Sequence, residues 1–432
     1  MRRQLAELSW VVGGQALTAL GTIVGVRILT QYLSPGAYGV VSLAMGMSAL
    51  AISLVAAPLT QAAIHFYPGV VAEGSVGELF NSLLRCFRRM APWVALVALA
   101  GGAIYVGWGH GSPVLVILLA ALLASDCWRS ANLSLLNAAR RQGRYALWMA
   151  ADAWSRPLAA SVVVLWVGQS PEAVLAAYVF VSICLVTGFS SRLWPPQASA
   201  PQAADRSQIL DARMWSYALP LLPIGIITWA SSLGDRYIIG GVLGVADAGI
   251  YAAVYGLSSS PFMIVNGMAE QGLRPIYQAA VTHGDTRRAR KILGIWLASV
   301  AGICALGVIL FAWGHEIIAG LFVGKPYRGA ASLMPWIAAG YAIRATSYVF
   351  ERVCYAFGQT RRVLAIQLWA VAATIVCTPA GVICWGLKGA AMAVPAYFSV
   401  QLAAAIFLAR RTMLETAAAG GGIGTIIRSA AA

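Results

Sequence analysis

Charge is what this sequence has least of. Asp, Glu, Lys and Arg make up 10% of its 432 residues, against 60% hydrophobic ones. A soluble domain carries roughly 25% charged residues, so a soluble chain of this length would lack the charge to cover its surface. The ruler that applies is the bilayer, at about 20 apolar residues per helical span. Histidine is also scarce, with four scattered residues that form no metal cluster. The seven cysteines (Cys86, Cys127, Cys184, Cys304, Cys354, Cys377 and Cys384) contain no Cys-x-x-Cys spacing and read as small buried residues. There is no nucleophile–His–acid set and no glycine loop with lysine to cradle phosphate. These absences argue against nucleotide hydrolysis as an energy source, and lead us to expect no cofactor, no metal and no enzymatic activity.

What is present is a series of apolar runs at even intervals. They predict an all-α polytopic membrane protein with about twelve transmembrane helices. The spans fall near 8–30, 38–64, 90–109, 113–137, 146–168, 172–192, 214–237, 246–270, 291–313, 331–357, 362–385 and 388–410. The first follows Met1-Arg2-Arg3; it is too long for a signal-peptide core and lacks a small-residue cleavage site, so it is expected to be an uncleaved span.

The formal net charge of +15 is mostly a topology signal. Basic residues crowd the loops that follow even-numbered spans: Arg85, Arg88 and Arg89; Arg140, Arg141 and Arg144; Arg287, Arg288, Arg290 and Lys291; Arg361 and Arg362; Arg410 and Arg411. The alternate loops, such as Gln169 to Pro171, are nearly bare. Positive charge stays inside, which puts both termini in the cytoplasm and makes anionic lipid headgroups the partner of the excess. No stretch interleaves basic and aromatic residues as a nucleic-acid platform would, so no nucleic acid is expected.

The sequence also repeats. Gly25 and Arg27 match Gly234 and Arg236 at one offset; Gly39, Gln61 and Tyr67 match Gly249, Gln271 and Tyr277 at an offset one residue longer. This duplication predicts two six-helix lobes in the same orientation, related by an axis along the membrane normal. The expected division is an N-terminal lobe over 1–195, a cytoplasmic linker over 196–212 around the Pro195–Gln202 run, a C-terminal lobe over 213–412, and a disordered tail over 413–432.

An ionised side chain near the bilayer centre costs roughly 2.5–3.5 kcal/mol on insertion scales, so each one needs a reason. Asp126 with Arg129 and Asp152 with Arg156 stand at i, i+3 and i, i+4, on one helix face each. They are either self-neutralised pairs that ease insertion or a polar wall on the first lobe's cavity. Arg344, near the middle of span 10, has no acid within one turn; Glu351 is two turns on. Arg27 and Arg236 sit at equivalent outer ends of spans 1 and 7, either snorkelling to headgroups or flanking an outward mouth, with Asp235 beside Arg236 to temper its charge. Glu270 and Gln271 close span 8, where Glu270 reads as a proton or cation site. Eight prolines inside spans, among them Pro157, Pro220, Pro223 and Pro261, suggest bent helices suited to alternating access.

The run from Arg27 to Gly39, ending Leu-Ser-Pro-Gly-Ala-Tyr-Gly, resembles the first periplasmic turn of bacterial polysaccharide flippases. So does the second-lobe run Gly234-Asp235-Arg236-Tyr237-Ile238-Ile239-Gly240 with Ala248-Gly249-Ile250-Tyr251. These are Wzx-like members of the multidrug/oligosaccharidyl-lipid/polysaccharide exporter superfamily. The resemblance implies a flippase of the bacterial inner membrane that moves an undecaprenyl-diphosphate-linked oligosaccharide from the cytoplasmic to the periplasmic leaflet, for O-antigen, capsule or exopolysaccharide assembly. It implies membrane lipids, H+ or Na+ and other polysaccharide-assembly proteins as partners. The expected substrate-binding residues are Arg344, Arg27, Arg236, Arg129 and Arg156; the expected ion-coupling acids are Asp126, Asp152, Asp235 and Glu270.

Two rival readings remain open. A drug/cation antiporter of the same fold would want a carboxylate in the first lobe and few cavity cations, whereas span 1 carries Arg27 and no acid beyond Glu7. A membrane glycosyltransferase or polysaccharide polymerase typically needs a sizeable external loop; the longest here, about Gly314 to Arg328, is small, though it holds His315, Glu316, Lys325 and Arg328.

Overall fold

The computed structural model describes residues 2–72, 76–107, 112–139, 141–190 and 204–418. Those residues are almost entirely helical and form twelve helices. The first six are α1 (Arg2–Tyr32), α2 (Pro35–Ala51, continuing through a π turn at Ile52–Ala56 into Ala57–Ala72), α3 (Val76–Gly107), α4 (Pro113–Ala138), α5 (Gln142–Val167) and α6 (Pro171–Ser190). The second six are α7 (Ala204–Ala218, a 3-10 turn at Leu219–Leu221, then Leu222–Val242), α8 (Val245–Thr282), α9 (Thr286–Phe322), α10 (Met334–Ala356), α11 (360–384) and α12 (387–418). The shortest, α6, has 20 residues, about 30 Å at 1.5 Å per residue. Each of the twelve expected spans falls on one helix.

Seven stretches are long and apolar enough to cross a membrane on composition alone, and the last of them, Thr360–Glu415, holds both α11 and α12. The other helices are α1, α3, α5 and α10. They have 31, 32, 26 and 23 residues, ample for a span.

Local chemistry sets the helix ends. Ser34, Ser112 and Ser170 each precede a proline, and each side chain accepts a backbone N–H three residues on, at 3.3, 3.1 and 3.4 Å. Serine at the cap with proline in the first helical position is a strong start signal. The turn between α11 and α12 rests on Gly386, whose φ of 59° is open to glycine at no steric cost. Just beyond it the two helices meet at Gly381 and Gly389, where a Cβ on either would strike the other's backbone carbonyl.

Several segments differ from expectation. The loop expected over Gly314 to Arg328 is mostly helix, because α9 continues to Phe322. The Arg328 guanidinium donates to the carbonyls of Gly320 (2.8 Å) and Val323 (3.3 Å), which satisfies the end of that helix. The stretch that follows is a 3-10 run, Lys325–Leu333. Of the expected linker, 196–203 lie outside the described residues and 204–212 already belong to α7. Of the expected tail, 413–418 continue α12, with Glu415 paired to Arg362 and Arg411, and 419–432 lie outside the described residues.

The chain forms two compact units. One comprises Met1–Trp229 with Gly244–Gly249, the other Ala230–Leu243 with Ile250–Ala432. In the first, α7 starts against α3: Asp211 accepts Arg85 at 2.8 and 2.9 Å and also Ser82, with Arg89 at 3.8 Å. Further along α7, Tyr217 stacks on His65 and Trp229 Nε1 donates to Gly46 O at 2.8 Å. The repeat-matched Gly39 and Gly249, each the fifth residue of its helix, touch within this unit.

Candidate functional site

Each unit buries a distinct set of ionisable groups. In the first unit, the two local pairs expected from spacing merge into one four-residue network. Asp126 on α4 receives Arg129 at 3.2 Å and also Arg156 of α5. Asp152 on α5 receives Arg156 at 2.8 Å and Arg129 at 3.2 Å. Asp126 is 1% exposed and Arg156 5%. Ser48 of α2 donates to Asp126 at 2.6 Å, Ser182 of α6 stands 3.4 Å from the same carboxylate, and the Tyr178 ring lies 5.6 Å beneath the Arg156 guanidinium. Two acids and two bases leave no net charge, and the shared partners satisfy groups that would otherwise be costly to bury.

In the second unit, the cations meet aromatic rings rather than carboxylates. Arg344 on α10 is 7% exposed. Its guanidinium lies 4.9 Å from the Phe398 ring of α12, 5.4 Å from Tyr348 and 5.6 Å from Tyr341. It donates to Tyr348 Oη at 3.0 Å and to Ser232 Oγ of α7 at 3.3 Å. No carboxylate stands within ion-pairing distance of it among the described residues. Ring faces attract a cation without neutralising it, so Arg344 keeps its full charge.

Tyr341 Oη donates in turn to Tyr255 Oη at 3.0 Å. The Tyr255 ring of α8 carries the Arg236 guanidinium at 5.4 Å and packs on Tyr251 at 5.3 Å. Asp235 does not cap the Arg236 side chain with a salt bridge; its carboxylate accepts Tyr251 Oη at 2.9 Å and the Arg236 backbone N–H at 2.8 Å. Arg236, Arg344 and Asp235 thus join through Tyr251, Tyr255 and Tyr341.

The remaining expected residues are placed otherwise. Arg27 is partly buried on α1, in a different unit from Arg236, the cation it was matched with. Glu270 is ion-paired with Arg274 and with Arg352, both at 2.9 Å. Glu351, noted in the sequence only for its distance from Arg344, is 2% exposed. It accepts Gln401 at 2.9 Å and Gln367 at 3.2 Å on each oxygen, and it has no ion pair among the described residues. An acid two turns from the nearest midspan cation was the available signal; its amide partners, on α11 and α12, carry no charge to mark them.

No group of three or more metal-ligating His, Cys, Asp or Glu side chains occurs among the described residues. Among solved structures, a multidrug resistance MATE-family transporter of the MOP superfamily in an inward-facing conformation matches with a TM-score of 0.71. The two share 14% identity, and the match covers 96% of each chain. The lipid II flippase MurJ, inward closed, matches with a TM-score of 0.72 at 10% identity, over 94% of this chain and 87% of its own. A MATE transporter of Vibrio cholerae matches with a TM-score of 0.59 at 13% identity, over 95% and 97%. No curated protein matches.

The fold is therefore that of the MATE-like polytopic membrane proteins. Within that fold, the chain belongs to the family described as polysaccharide biosynthesis protein, which matches residues 28–331.

Proposed function

We propose that this protein is an inner-membrane flippase. It carries an undecaprenyl-diphosphate-linked oligosaccharide from the cytoplasmic to the periplasmic leaflet by ion-coupled alternating access of its two halves, with both termini in the cytoplasm. Membership of a polysaccharide biosynthesis family supports a glycan cargo, and the fold it shares with MATE transporters and with MurJ supports movement across a membrane. The observation that carries the reading is Arg344: a buried, midspan guanidinium held by rings and hydroxyls, whose charge no acid cancels. Such a group is costly in a membrane unless it meets an anion, and a diphosphate is the anion this substrate class brings. The same charge weighs against a drug/cation antiporter.

In this reading Arg344, with Arg236, holds the diphosphate. Arg129 and Arg156, balanced by Asp126 and Asp152, brace the first lobe. Coupling falls to acids without a cation partner, Asp235 and Glu351, ahead of the ion-paired Glu270. The protein performs no bond-making chemistry.

The test is leaflet exchange in proteoliposomes bearing a fluorescent undecaprenyl-diphosphate oligosaccharide, read by quenching from outside. Wild type is expected to equilibrate the leaflets without altering glycan length, and Arg344→Ala to slow exchange about tenfold or more, the scale of losing one charge-assisted contact. Absence of exchange by well-folded wild type would overturn the reading, and growth of the glycan would favour a polymerase.

A further inference from the structure

The first unit contains a cavity of about 310 Å³ that the charged network does not fill. It is lined from α2 by Ile52, Gln61 and Ile64, from α5 by Tyr145 and Met149, and from α4 by a polar face. That face comprises Arg129, Ser130, Ser134 and Asn137 beside the apolar Leu133, at helical spacing; the Asn137 Oδ1 accepts Gln142 Nε2 at 2.9 Å, which leaves the Asn137 amide N–H groups as its donors.

Two features distinguish it from ordinary helix packing. Hydroxyls in spans usually return to the carbonyl four residues back, as Thr18, Thr30, Ser155 and Thr187 do here. Ser130 and Ser134 do not: among the described residues, neither they, nor Tyr145 Oη, nor the Gln61 amide makes a hydrogen bond. Their donors and acceptors face the cavity unspent. The cavity's charge is also cancelled, because Arg129 is committed to Asp126 and Asp152. A site with convergent neutral hydrogen-bonding groups, one aromatic ring and no net charge suits an uncharged, hydroxyl-rich ligand. Its volume is at the small end of the range for organic-ligand sites, about 300–1,000 Å³, room for one sugar ring.

We infer that this cavity between α2, α4 and α5 is a saccharide-recognition site. It reads one uncharged sugar of the substrate through Gln61, Ser130, Ser134, Asn137 and Tyr145, separately from the cationic Arg344 cluster. The inference rests on the flippase reading and deepens it, since it assigns glycan discrimination to residues distinct from those proposed for the diphosphate.

The experiment measures binding of two probes to the full chain in nanodiscs: bare undecaprenyl diphosphate, and the undecaprenyl-diphosphate-linked glycan extracted from the host membrane. Wild type is expected to prefer the glycosylated probe. Ser130→Ala combined with Ser134→Ala should weaken that probe about tenfold, two hydrogen bonds at roughly threefold each, and leave the bare lipid unchanged. Ser134→Trp, which fills the cavity, should abolish the preference, and Ser161→Ala, whose hydroxyl returns to Leu158 O, should keep it. Equal losses for both probes, or no loss in either serine variant, overturn the site. If folded wild type binds neither probe, the flippase reading itself fails.

Discussion

The buried guanidiniums of Arg156 and Arg344 are of two physical kinds. Arg156 is balanced: it shares Asp126 and Asp152 with Arg129. Arg156→Ala should destabilise the first unit by about 3–5 kcal/mol, the usual penalty for stranding half of a buried pair. Thermal unfolding in detergent checks this, and adding Asp126→Asn should recover much of the loss. Arg344 is unbalanced and stacked. Arg344→Lys keeps the charge but loses the planar face that the three rings hold, so it should fold like wild type yet exchange lipid about as slowly as Arg344→Ala. Sequence spacing revealed the two helix-local pairs because partners at i+3 and i+4 share a face. It could not reveal their crossing, which depends on how α4 and α5 are rotated against each other. Phe398 and the Gln367–Glu351–Gln401 set were hidden for the same reason, since they join residues far apart in the chain through contacts between helices.

At the scale of elements, the span count was legible because each helix is one apolar run between caps. Boundaries were less so. α8 runs to Thr282 rather than stopping near 270, and α9 reaches Phe322, because polar residues at span ends remain helical where solvent or headgroups receive them. The α11–α12 hairpin depends on two close glycines. Gly389→Val would drive side-chain carbons into the Gly381 carbonyl and should cost about 1–3 kcal/mol by overpacking. The expected outcome is a lower melting temperature and loss of transport, whereas Gly314→Ala, in an open stretch of α9 with ordinary side-chain neighbours, should do neither.

For the molecule as a whole, the proposed orientation is directly testable. In a cysteine-free background, Gln359→Cys and His283→Cys, in loops between α10 and α11 and between α8 and α9, should react with an impermeant maleimide only after the inner face is opened. Ser170→Cys, in the turn before α6, should react in intact spheroplasts; the opposite pattern would invert the topology. One small irregularity bears on the whole. The π turn at Ile52–Ala56 holds one residue more than a regular turn would, and such turns gather at functional sites. Winding the same residues as regular α-helix, with no π turn, would swing Gln61 about 100° away from the serines of α4. Hydropathy, charge and membrane insertion do not depend on that winding, so under the proposed sugar site the choice of cargo rests on a single irregular turn to which the protein's production and placement are indifferent.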